Sequence, residues 1–129
     1  MASDRSTKIT LGGVEYDMLL TTAATKVIGA KYGGLSKMGD KLMKSQNFEE
    51  AVDELLWLVA LLCNQPILIH NLLHPNDHRE LLKVEELELL TSPSDLAGMK
   101  DAIMECLIKG TGRNIESEPE KNADAGKAS

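Results

Sequence analysis

The chain has 129 residues, 43% of them hydrophobic but only 3% aromatic, and 20 acidic side chains against 14 Lys and Arg give a net charge of −6. That length fits one domain with a modest core, and a core so short of aromatics must be built from Leu, Ile, Val, Met and Ala, which favours helix packed on helix. An acidic chain with no basic block lacks the footprint of a nucleic-acid binder and has no attraction to an anionic membrane.

The N-terminal "MASDRSTK" is polar and carries no apolar signal core, so residues 1–7 are expected to be irregular. "KITLGGVEYDML" is the only strand-like stretch, with alternating runs on either side of Gly12-Gly13. A Gly pair supplies the positive φ of a tight hairpin turn. Pairing Leu11 with Val14 and Ile9 with Tyr16 puts Ile9, Leu11, Val14, Tyr16 and Met18 on one face. A two-stranded hairpin is marginal alone in water, so it must lie on helices or pair through its edges with another chain.

Everything after it reads as helix. "TTAATKVIGAKYGG" puts Ala24, Val27 and Ile28 on one side and ends at Gly33-Gly34. "LSKMGDKLMKS" spaces Leu35, Met38, Leu42 and Met43 at helical intervals, weakened by Gly39. "NFEEAVDELLWLVALLCNQP" opens with Asn47 as N-cap and Glu50 three residues on. Its first half carries a stripe of Phe48, Ala51, Val52 and Leu55, and its second half is apolar all round, as in a central helix. The longest apolar run, Leu55 to Cys63, is far short of a membrane span. Pro66 is expected to stop this helix.

"HPNDHRELLKVEELELL" reads as a turn followed by two short helical turns. The last element, "SPSDLAGMKDAIMECLIKG", has Ser92 as N-cap, Pro93 at N1 and Asp95 at N3. Leu96, Met99, Ala102, Ile103, Cys106 and Leu107 form its buried stripe, and Gly110 is expected to end it. "NIESEPEKNADAGKAS", residues 114–129, contains one large apolar residue, Ile115, and should be disordered. The expected fold is therefore mainly α (α+β): an N-terminal β-hairpin, then a compact bundle of about five to six helices over residues 8–113.

No residue set points to catalysis. His70, His74 and His78 are four apart, but Pro75 interrupts the row and no carboxylate stands at a metal-site spacing. Cys63 and Cys106 lie in apolar helical stretches, where cysteine acts as a small hydrophobe, and they form no disulfide framework. The glycine pairs match no phosphate or dinucleotide loop. Glu85, Glu86 and Glu88 read as a solvated acidic face. Six methionines suit a core poor in aromatics, and Met104 alone falls off the main stripe of the last helix. No enzyme, cofactor or metal is expected; the profile is that of a cytoplasmic binding or assembly module.

The order of segments carries a resemblance. "ITLGGVEYDM", "AATKVIGAKYGGL", "FEEAVDELLWLVALLCNQ", "HNLLHPNDHRELL" and "ELLTSPSDLAGMKDAIMECLIKGTGRNIESE" together resemble the tail assembly chaperones of long-tailed bacteriophages and prophages, in the form common in Gram-positive hosts. The likeness covers roughly residues 8 to 120, most closely in the phrases "LLTSPS" and "AIMECLIKGT". It implies a protein that binds the long, aggregation-prone tape measure protein, keeps it soluble, and is shed as the tail tube polymerises. Such a protein works in the bacterial cytoplasm and is absent from the virion. In many members a programmed frameshift near the gene's end appends a second domain that recruits tail tube protein, and a disordered tail would serve as the tether.

The partner-binding candidates are the hairpin face, Ile9, Leu11, Val14 and Tyr16, and members of the last helix, Met99, Ile103, Met104 and Leu107. Apolar helix-in-groove contact with the tape measure is the expected mode, and the hairpin edges make a homo-oligomer an open alternative. A permanent head–tail or tail connector and a host helical regulatory adaptor are the rival classes.

Overall fold

The computed structural model describes residues 6–44 and 47–112. The expected irregular N-terminus and disordered tail lie outside these residues, except that Ser6 and Thr7 already open the first strand. Strands β1 (Ser6–Leu11) and β2 (Val14–Leu19) pair antiparallel with Leu11 opposite Val14 and Ile9 opposite Tyr16, the register expected from the alternation. Gly12 and Gly13 turn the chain at φ values of 59° and 82°, a region other residues enter only with strain.

Helix α1 (Thr22–Tyr32) starts where the Thr21 hydroxyl accepts the Ala24 N–H at 3.0 Å, and Gly33 closes it in the left-handed region at φ 91°. Helix α2 (Leu35–Lys44) buries Met38, Gly39 and Leu42 but leaves Met43 exposed, and in α1 it is Ala24 and Ile28 that are buried while Val27 faces out. Asn47 caps α3 through its side chain, which accepts the Glu50 N–H at 2.9 Å.

Helix α3 corrects the expectation for Pro66. It runs unbroken from Phe48 to Leu73, 26 residues with Pro66 inside. Proline forfeits one backbone hydrogen bond, leaving the Leu62 carbonyl without its i+4 partner. The loss is local, whereas Leu55, Leu56, Leu58, Val59, Leu62 and Cys63 are buried on all sides just upstream. Core burial of that size outweighs one missing bond. Downstream, one helix, α4 (Val84–Leu90), replaces the two expected short turns.

A 3₁₀ turn, Pro93–Asp95, leads into α5 (Leu96–Thr111). The Asp95 carboxylate accepts the Ser92 N–H at 2.8 Å, completing the expected capping arrangement. The helix passes through Gly110 and ends at Gly112, φ 76°. Gly110 has another duty: a Cβ there would lie 2.7 Å from the Leu20 Cβ. Its bare backbone lets α5 close on the end of the hairpin.

The hairpin lies across two helices, β1 against α5 and β2 against α3. One core joins them, with Leu11, Met18, Ile28, Met38, Leu58, Leu87, Met99, Ile103 and Leu107 among its most buried members. Tyr32 and Trp57 pin α1 to α3, their rings edge to face at 6.1 Å, with the Lys31 ammonium 4.7 Å over the indole. The Tyr32 hydroxyl donates to Glu54, and burial together with that carboxylate pushes the phenol's pKa up.

Candidate interaction surfaces

The candidate residues read from the sequence are mostly inside. Leu11, Met99, Ile103 and Leu107 are fully buried, and Ile9 and Met104 nearly so. Tyr16 is half-buried, and Val14, beside the turn, is the one well exposed at 51%. The hairpin's Ile9 and Leu11 and the inner stripe of α5 belong to one core, which leaves Val14 and part of Tyr16 open. Met104 sits off the main stripe, yet α5 is flanked by both β1 and α3, so a wider arc of it is enclosed than one stripe.

The open apolar surface lies elsewhere. Beyond Pro66, α3 carries Leu68, Ile69, Leu72 and Leu73, with Leu72 77% and Leu73 68% exposed. Residues four apart on a helix are neighbours, so Leu68–Leu72 and Ile69–Leu73 form two adjacent rows, one patch. The connector to α4 lies beside this end of α3. Asn64 and Asn71 hold that connector by paired hydrogen bonds to the backbones of Leu82 and Arg79. His70 Nε2 meets the Asp77 carboxylate at 3.0 Å and edges onto the His74 ring at 4.6 Å, so two of the three histidines tie the turn together.

A second open surface lies at the other end of α3. Phe48, Val52 and Leu56 form a cleft of about 350 Å³ with Pro93 and Leu96, and Glu49, Asp53 and Glu88 stand at the same cleft. Phe48, expected on the buried stripe, is 64% exposed here.

Among the described residues no group of three or more His, Cys, Asp or Glu is placed to hold a metal. Cys63 and Cys106 are buried, free thiols, and burial pushes both up to about 12. A thiol so held stays protonated at neutral pH and is a poor nucleophile. Helix α3 is long and apolar enough to cross a membrane, because Pro66 does not break it. Its middle is the centre of the core, and its exposed residues lie in the distal patch and the first two turns.

The sequence contained the signal for the distal patch. "ILIHNLL" after Pro66 shows the i, i+4 leucine spacing once the helix is allowed to continue. Comparison of the chain with protein-family models, with curated proteins and with solved structures finds no match.

Proposed function

We propose that this chain is a tail assembly chaperone, which binds helical, apolar segments of a tape measure protein and keeps them soluble until the tail tube forms around it. The observation that carries this reading is the exposed patch of Leu68, Ile69, Leu72 and Leu73 on the projecting end of α3. Burying a leucine or isoleucine side chain contributes about 1.5–3 kcal/mol before the costs of association. A patch of this size supports a contact strong enough to hold one helical segment and weak enough to be displaced. Repeated along an extended partner, such contacts supply avidity while each remains individually reversible.

The resemblance in segment order supports the same reading. The proposed mode is corrected from the sequence expectation in one respect: the contact surface is the outer end of α3, with ridge-into-groove packing on the partner helix. A frameshift-extended form, in which the 114–129 stretch tethers an appended domain that recruits tail tube protein, remains part of the proposal and rests on the resemblance.

The test is co-expression with a candidate tape measure protein. The tape measure is expected to become soluble, co-purify, and leave the complex when tube protein is added. A tape measure that stays insoluble, with nothing co-purifying, overturns the reading. A connector instead of a chaperone would be found in purified particles.

A further inference from the structure

The cleft at the start of α3 joins an apolar lining to acidic side chains that form no ion pair among the described residues. Glu49 and Asp53 are four residues apart on one helix, so their like charges sit side by side, and only Glu49, in the first turn, has the helix dipole to favour it. Glu88 stands in the last turn of α4, where the negative end of the helix dipole disfavours a carboxylate. All three line the same cleft, whose floor is the apolar set Val52, Leu56, Pro93 and Leu96. Neighbouring acids are satisfied: Glu50 pairs with Lys41 at 2.8 Å, and Glu54 accepts from Tyr32. Among the described residues, Glu49, Asp53 and Glu88 have no such partner. The three are not grouped as a metal site, and the apolar floor suits side chains, not an ion.

We propose that this cleft takes the apolar face of a partner helix that carries Lys or Arg beside its anchor residues. The inference rests on the functional reading only in taking the partner to be a helix. An apolar anchor fills the floor, and flanking ammonium or guanidinium groups pair with the three carboxylates. Such complementarity sets which helices bind and how fast they arrive. The chain's own 114–129 stretch, with four acids against two lysines, has the wrong charge to be the occupant.

The test uses two fluorescein-labelled peptides of about 18 residues, long enough to form helix, with the same leucine stripe and either Lys or Glu flanks. Each is titrated with the full chain by fluorescence anisotropy. The Lys peptide is expected to bind at least about tenfold tighter at low salt, the margin shrinking at about 0.5 M salt. Glu49→Gln/Asp53→Asn/Glu88→Gln is expected to abolish the margin without lowering the thermal midpoint. Glu15→Gln/Asp40→Asn/Asp101→Asn removes the same three charges elsewhere and is expected to keep it. Phe48→Ala should weaken the Lys peptide further.

Equal binding of the two peptides overturns the proposal, as does an equal loss in both triple variants, which would mark general attraction to an acidic protein. The two readings fail separately. A tape measure held by the wild-type chain, with no preference between the two peptides, sinks the cleft alone. A tape measure ignored by the wild-type chain, with the peptide preference intact, sinks the chaperone reading alone.

Discussion

The Asn64 side chain closes a two-bond ring with the backbone of Leu82: its Nδ2 donates to the Leu82 carbonyl at 3.0 Å and its Oδ1 accepts the Leu82 N–H at 2.8 Å. Seven residues further along α3, Asn71 repeats the arrangement with Arg79, at 3.0 and 2.8 Å. An amide that both donates and accepts mimics one rung of a strand pair. Two rungs on one helix face, together with Leu82 packed against the core, fix the connector against α3.

Replacing Asn64 by Ala strands both backbone groups of Leu82 in a half-buried place. An unpaired buried polar group costs about 1–3 kcal/mol, so Asn64→Ala is expected to lower stability by that order in urea denaturation. Amide exchange at Leu82 should accelerate while the core of α3 keeps its protection. Unchanged exchange at Leu82 would mean the connector is held by something else.

The two glycines of α5 that lie inside the helix should respond in opposite directions. Gly110→Ala forces a Cβ to 2.7 Å from Leu20, and overpacking of this kind costs about 1–3 kcal/mol. Gly98 has open space around it, so Gly98→Ala should gain about 0.5–1 kcal/mol from helix propensity. Thermal or chemical denaturation of the pair reads the difference. Equal effects would contradict the close approach of α5 to the hairpin end.

Pro66 removes a hydrogen bond that the surrounding packing makes up for, so Pro66→Ala should restore a partner for the Leu62 carbonyl. The expected gain is about 1–3 kcal/mol, with helical content by circular dichroism unchanged or slightly higher. A loss of stability would show that the ring's own packing matters more than the missing bond.

The cysteines give a pH dependence with a definite sign. Burial raises both thiols from 9.0 to about 12 in the folded chain. A raised value means the stabilisation is fully present below about pH 9 and is lost as pH climbs toward 12. Tyr32, raised in the same direction by burial and Glu54, adds to the alkaline loss. Stability is therefore expected to fall progressively above pH 9, and a thiol reagent at pH 8 should label the native chain only as fast as it opens. Rapid labelling at that pH would contradict the burial of Cys63 and Cys106.

Local signals were legible and non-local ones were not. The Gly12-Gly13 turn set the hairpin register, and Asn47 and Ser92 marked helix starts because capping involves residues only three apart. Pro66 misled because its penalty is local while the burial that outweighs it comes from distant elements. Gly110 has the look of a helix stop because nothing near it in sequence points to Leu20. The hairpin face and the α5 stripe were legible as apolar but not as mutually covering. A periodic stripe says that a face is buried, not whether the burying surface belongs to the same chain. The surface from Leu68 to Leu73 is hidden in the sequence by Pro66, which signals a helix stop ahead of it.

The most direct measurement compares the wild-type chain with Leu68→Glu/Leu72→Glu in holding a co-expressed tape measure protein in solution. Both positions are solvent-facing, so the variant should keep its fold and thermal midpoint. The wild type is expected to keep the tape measure soluble and bound, and the variant to lose it to the pellet. Retention by both chains alike would contradict the assignment of the α3 patch, and retention by neither would contradict the chaperone function itself.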